Sequence, residues 1–125
     1  MKISASAPLR ILVVDDDLDQ VQMLALLFKQ MGHHVDYAIN CSFGLEHASS
    51  ARYDVYVLDL NLPDGIGLGL TRDIRKLPDA ESSLVIGITG MSVDRQAARL
   101  SGMDHLLAKP INIAQLETLL AQRKS

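Results

Sequence analysis

Four separated segments of the chain each set a polar group of catalytic type at the end of an apolar run. Leu9-Arg10-Ile11-Leu12-Val13-Val14 runs into Asp15-Asp16-Asp17, and Asp54-Val55-Tyr56-Val57-Leu58 runs into Asp59. Leu84-Val85-Ile86-Gly87-Ile88 leads to Thr89-Gly90, and His105-Leu106-Leu107-Ala108 leads to Lys109-Pro110. If these runs are parallel strands, their carboxyl ends gather several carboxylates, a hydroxyl and an ammonium into one crevice. Such a crevice suits a divalent cation and a phosphoryl group.

Carboxylates crowded together repel, and one takes up a proton unless a cation is present. Mg²⁺ fits because it prefers oxygen ligands in octahedral geometry and keeps several waters. Asp16 and Asp59 are the expected direct ligands, with the Asn61 backbone carbonyl as a third and Asp15 acting through a metal-bound water. Asp59 is the expected nucleophile, since a carboxylate can accept a phosphoryl group as an acyl phosphate. That transfer needs in-line positioning and charge stabilisation. Thr89 and Lys109 can supply these at the equatorial oxygens. Lys109 also offsets carboxylate repulsion before the group arrives. A solvated Asp-rich helix start is the plain alternative for residues 15–17, and Asp59 and Lys109 in matching places argue against it.

The elements that must hold these groups alternate along the chain. After a short flexible lead over residues 1–8, residues 9–125 form one domain. Its first strand is apolar throughout except Arg10, as expected when both faces are covered. Val21, Leu24, Leu27, Phe28 and Met31 recur at helical spacing, with Asp17 as N-cap and Gly32 as stop. His34 to Ile39 alternates in character and predicts an edge strand. Asn40 can cap a second helix reaching about Arg52, interrupted at Gly44. The third strand ends at Asp59, and Pro63-Asp64-Gly65 marks a turn before a helix from about Leu68 to Lys76. A fourth strand covers Leu84 to Ile88, a fourth helix runs roughly from Val93 to Leu100, and a fifth strand covers His105 to Ala108. Asn112 caps the last helix, whose stripe is Ile113, Leu116, Leu119 and Leu120. The Lys109-Pro110 bond is a candidate for the cis form. Five such alternations call for right-handed crossovers and a parallel sheet with helices on both faces. Ligands in such sheets sit beyond the strands' carboxyl ends.

Composition narrows the function further. The chain has 125 residues, 48% of them hydrophobic, with 15 acidic against 12 basic residues and a net charge of −3. That length supports a real core, and an acidic balance without a basic stripe argues against direct nucleic-acid binding. No apolar run approaches the roughly 18 residues needed to span a bilayer, and the amino terminus lacks a signal-peptide core. A single cysteine, Cys41, excludes an internal disulfide framework. A soluble, cytoplasmic domain is the expectation.

The motifs Ile11-Leu12-Val13-Val14-Asp15-Asp16-Asp17, Asp59-Leu60-Asn61-Leu62-Pro63-Asp64-Gly65-Ile66-Gly67, Ile88-Thr89-Gly90 and Lys109-Pro110 resemble the receiver domain of two-component response regulators. Their spacing, 44 positions from Asp15 to Asp59, 30 more to Thr89 and 20 more to Lys109, fits as well. The resemblance covers about Leu9 to Leu120. It implies a flavodoxin-like (βα)5 fold, a doubly wound parallel five-stranded sheet in the order 2-1-3-4-5. It also implies phosphorylation of Asp59 from a phosphohistidine on a sensor histidine kinase or histidine phosphotransfer protein. By the same resemblance Asp15 and Asp16 form the acid pocket, Thr89 switches and Lys109 senses the phosphate. A downstream protein partner or output domain would read the change on the face from the fourth helix to the fifth. The domain would then be no metabolic enzyme, catalysing only its own phosphorylation and dephosphorylation.

Some positions depart from the family pattern. Leu106 stands where many members carry an aromatic residue, and Ile66 replaces an acidic one. Thr-Gly and Lys-Pro-Ile-Asn look more like receivers that stand alone or are attached to hybrid kinases. Asn61 can orient an attacking water and Met91 can obstruct it, which predicts a moderately long-lived phosphoryl group. The rival reading is a phosphorylation-independent, receiver-like binding module. The Asp, Thr and Lys set argues against it. Gly65-Ile66-Gly67-Leu68-Gly69 suggests a dinucleotide loop, but its third glycine would have to be at position 70, which is Leu70. His33, His34, His47 and His105 read as surface or packing residues, and Cys41 has no visible base beside it.

Overall fold

The computed structural model describes residues 8–62, 65–90 and 95–122. The lead up to Ala7, the Pro63-Asp64 part of the predicted turn, Met91 and the expected start of the fourth helix at Val93 lie outside them. Five strands, β1 (Arg10–Val14), β2 (His34–Ala38), β3 (Val55–Asp59), β4 (Leu84–Thr89) and β5 (His105–Ala108), form one parallel sheet in the order β2-β1-β3-β4-β5. The predicted fold and strand order are therefore those observed. Helices α1 (Leu18–Gln30), α2 (Cys41–Ser50), α3 (Gly67–Arg75), α4 (Arg95–Ser101) and α5 (Ile113–Gln122) connect and cover it.

Side chains alternate across a strand, and the core divides accordingly. Ile11 and Val13 of β1, Val55 and Val57 of β3, and Ile86 and Ile88 of β4 meet Val21, Leu24 and Phe28 of α1 and Leu116 and Leu120 of α5. Leu12, Val14, Tyr56, Leu58 and Val85 face the other way, onto Ala48 of α2, Leu70 and Ile74 of α3 and Ala98 of α4. Each fully buried aliphatic or aromatic side chain contributes about 1.5–3 kcal/mol. β1 and β3 are central and buried on both faces, whereas β2 pairs only with β1, as its mixed sequence predicts.

Local signals place the helix starts. Asp17 accepts from the Gln20 N–H, Asn40 from the Phe43 N–H at 2.8 Å, and Asn112 from the Gln115 N–H at 3.1 Å. Gly44 does not interrupt α2. It sits inside the helix because a Cβ there would lie 3.1 Å from Val14, so the glycine lets α2 approach β1. Two short elements add to the predicted strands and helices. Asn61–Leu62 pairs antiparallel with Gly65–Ile66, and a short 3-10 turn covers Ala80–Ser82. At the amino ends of β4 and β5 the Arg75 guanidinium donates to the carbonyls of Ala80, Ser83 and Gly102 and pairs with Asp104 at 2.9 Å. That clamp ties the end of α3 to the turns before β4 and β5.

Candidate functional site

Register brings the four motifs to one level. Val14 lies beside Leu58, Asp59 beside Ile88, and Thr89 beside Ala108. Asp15, Asp59, Thr89 and Lys109 are therefore at or one residue past the ends of four adjacent positions on β1, β3, β4 and β5. The loop after β3 is drawn tightly back, since the Gly67 N–H donates to the Leu60 carbonyl at 2.9 Å. A Cβ on Gly67 would lie 2.5 Å from the Asp59 carbonyl oxygen, so only glycine fits where α3 begins.

Asp15 and Asp59 are both buried, with 3% and 4% of their surface exposed. Each ties one oxygen to the backbone two residues on. Asp15 Oδ1 accepts from the Asp17 N–H at 2.9 Å, and Asp59 Oδ1 accepts from the Asn61 N–H at 3.0 Å. Their second oxygens have different partners. Lys109 Nζ donates to Asp59 Oδ2 at 3.2 Å and stands 3.9 Å from Asp15 Oδ2. Asp15 Oδ2 instead accepts from the side-chain amide of Gln20.

Electrostatics follow from this crowding. Burial, with the Asp59 charge, pushes the Asp15 carboxyl above the usual carboxylate range, although the Asp17 N–H and Lys109 pull the other way. For Lys109, burial disfavours the ammonium, but Asp15 and Asp59 together outweigh it and hold its pKa above the ordinary lysine value. Lys109 is charged throughout the physiological range. Its bond to Pro110 is cis, as the sequence allowed.

Thr89 is buried at the end of β4, and its carbonyl accepts the Lys109 N–H at 2.7 Å, which fixes the two motifs to each other. Asp16 is exposed at the rim. One carboxylate oxygen from each of Asp15, Asp16 and Asp59 lies within 4.8 Å of the others. Two oxygens on one octahedral Mg²⁺ are about 3–4 Å apart, given bonds of 2.0–2.1 Å. The three carboxylates thus need only small movements to share an ion, and their hard oxygen donors match that chemistry. Asn61, the proposed carbonyl ligand, is held beside Asp59 by its own N–H bond.

All the residues picked from the sequence as site residues therefore come together, except Met91, which lies outside the described residues. The sequence did not reveal Gln20. The only signal it gave was position, in the first turn of α1, the helix that follows Asp15. The histidines are dispersed: His33 Nδ1 accepts from the Leu9 N–H at 3.0 Å, a structural use at the opposite end of the sheet.

Residues 11–121 match the family model of the response regulator receiver domain. The chain is 28% identical over 116 residues to signal transduction histidine-protein kinase BarA of Escherichia coli K12. That match takes in 91% of this chain but only 13% of the kinase, so the chain spans a small part of that relative's length. Among solved structures, a CheY-like response regulator receiver domain from Methylobacillus flagellatus superposes with a TM-score of 0.85 at 31% identity, covering 94% of this chain and all of that one. The receiver domain of the sensor histidine kinase PA1611 from Pseudomonas aeruginosa PAO1 has a magnesium ion coordinated in its active site cleft. It superposes with a TM-score of 0.82 at 27% identity, covering 93% of this chain and 97% of that one.

Proposed function

This chain belongs to the response regulator receiver family of two-component signalling, and from that premise we propose that Asp59 accepts a phosphoryl group from a phosphohistidine. The donor is a sensor histidine kinase or a histidine phosphotransfer protein. The observation that carries the reading is the placement of Lys109, whose ammonium sits 3.2 Å from Asp59 Oδ2 at the mouth of a buried acid pocket. A cation so placed can pass from the carboxylate to the oxygens of an arriving phosphoryl group.

In the transfer, an Asp59 carboxylate oxygen attacks phosphorus and forms the P–O bond. The P–N bond to the donor histidine breaks, and the imidazole nitrogen keeps the electron pair and is protonated. Little covalent help is needed beyond alignment and charge balance. The Asn61 N–H on Oδ1 fixes the carboxylate's orientation, and Lys109 and the Thr89 hydroxyl hold the equatorial oxygens. Mg²⁺, held by Asp16, Asp59 and the Asn61 carbonyl with Asp15 acting through a bound water, would neutralise charge on the phosphoryl oxygens. The magnesium in the PA1611 receiver domain and the 4.8 Å carboxylate cluster support that assignment.

The domain acts on itself, catalysing its own phosphorylation and dephosphorylation rather than turning over a metabolite. By sequence position alone, Asn61, two after the acceptor, is the residue to orient the hydrolytic water and Met91, two after Thr89, the one to obstruct it, which predicts a moderately long-lived phosphoryl group. A downstream protein or output domain reads the result on the face from α4 to α5, in the cytoplasm. Among the described residues no helix is long and apolar enough to cross a membrane. Leu106, half-buried between β4 and α4, takes the place of an aromatic residue there, so the output face changes through Thr89 and its loop.

The test is incubation with acetyl phosphate, with and without Mg²⁺, followed by intact mass of wild type and Asp59→Asn. A phosphate-sized gain that requires both Mg²⁺ and Asp59 supports the reading. A folded protein that gains no mass under any condition favours a phosphorylation-independent binding module instead.

A further inference from the structure

Gln20 is a neutral side chain that the structure brings onto a carboxylate of the acid pocket. It lies in the first turn of α1, half-buried, and its Nε2 donates to Asp15 Oδ2. The same oxygen is the one Lys109 approaches to 3.9 Å, outside hydrogen-bond range, while Lys109 is bonded to Asp59 at 3.2 Å. With Oδ1 held by the Asp17 N–H, both oxygens of Asp15 accept from uncharged donors, and the Lys109 ammonium stays 3.9 Å away as an ion pair without a hydrogen bond. A buried carboxylate needs such partners. Had a lysine or arginine supplied this one, it would have neutralised part of the charge that must collect a dication. An apolar residue would have left Oδ2 open to Lys109.

We infer that Gln20 is a positioning residue for the cation site: its amide occupies Asp15 Oδ2, which keeps Lys109 on Asp59 and leaves the pocket's negative charge available to a divalent ion. The inference rests on the reading of the acid pocket as a Mg²⁺ site but not on Asp59 being phosphorylated. Its test can therefore fail or succeed independently of the phosphoryl assay. Groups that orient metal ligands typically change metal affinity by 10–100-fold when removed.

Three variants separate the possibilities. Gln20→Met keeps similar length and removes the donor. Gln20→Lys keeps a donor and adds charge. Gln22→Met alters an exposed neighbour on the same helix, away from Asp15. Calorimetric titration with Mg²⁺ alone should show affinity lowered by about tenfold in Gln20→Met and by at least as much in Gln20→Lys, with Gln22→Met unchanged. Metal-free melting temperatures should stay within a few degrees of wild type in both Gln20 variants. A crystal structure of Gln20→Met should show Lys109 Nζ within hydrogen-bond distance of Asp15. Gln20→Met with affinity within twofold of wild type would overturn the inference. So would a large loss of metal-free stability with unchanged affinity, which would make Gln20 a packing residue only.

Discussion

Asp15 and Asp59 end neighbouring strands, are equally buried, and make the same bond to the backbone N–H two residues on. Lys109 lies within ion-pair distance of both, and they differ in the side chain hydrogen-bonded to the second oxygen. Asp59 has the Lys109 ammonium, and Asp15 has the Gln20 amide. Two carboxylates with identical backbone settings thus acquire different chemistry from their second donor. An ammonium can leave the carboxylate and follow charge onto a phosphoryl oxygen, whereas an amide inside a helix turn stays where it is. On the proposed reading, the comparison teaches that acceptor and metal-site roles depend less on the strand ends than on the side chains that reach them.

The comparison breaks most sharply at the acceptor. Asp59→Asn should abolish covalent phosphorylation by a small phosphodonor, whereas Asp15→Asn should slow it without abolishing it, as intact mass over time would show. Next in size is the partner that distinguishes the two. Lys109→Met should lower the phosphorylation rate by about 100-fold, and Lys109→Arg should not restore it, because a planar guanidinium is not a compact point charge. Thr89→Ala should cost about tenfold, or roughly 1.4 kcal/mol of barrier, with Thr89→Ser close to wild type in the same assay.

Stability sharpens the same contrast. Binding of Mg²⁺ at 100 times its dissociation constant adds about 2.7 kcal/mol, on the order of 10 °C in melting temperature for a chain this size. Asp16→Asn should remove most of that gain. The Asp15 carboxyl is raised mainly by burial, so its contribution to metal-free stability is full below the ordinary value of about 3.9 and is lost as pH rises through the raised one. The thermal gain from Mg²⁺ should therefore grow as pH rises from about 4 towards neutrality. The opposite end of the sheet gives the smallest effect and the opposite sign. Burial lowers the pKa of His33, partly offset by Asp54, so its contribution is full above about 6.5 and is lost as pH falls through the lowered value. A melting-temperature decrease of a degree or two on acidification below that range, abolished in His33→Gln, would fit a residue this exposed.

Much of this was legible in the sequence because the signals are local. An apolar run ending in Asp, Thr or Lys names a strand and its functional end together, and Asp17, Asn40 and Asn112 name helix starts. Spacing then put the four ends in family order. What stayed hidden depends on contacts across the fold. Gly44 looked like a helix breaker because its reason, close approach to Val14, lies on another element. The Arg75 clamp joins residues up to 29 positions apart, and no periodicity marks it. Gln20 is invisible for a related reason: a polar residue in a helix's first turn is ordinary until Asp15 is placed beside it.

The most direct test is to locate the phosphoryl group. After acetyl phosphate and Mg²⁺, borohydride reduction converts an aspartyl phosphate to homoserine, and peptide mass spectrometry then identifies the residue. The account predicts homoserine at Asp59 and none at Asp15. Modification at Asp15, or divided between the two, would contradict it and show that Lys109 does not select the acceptor.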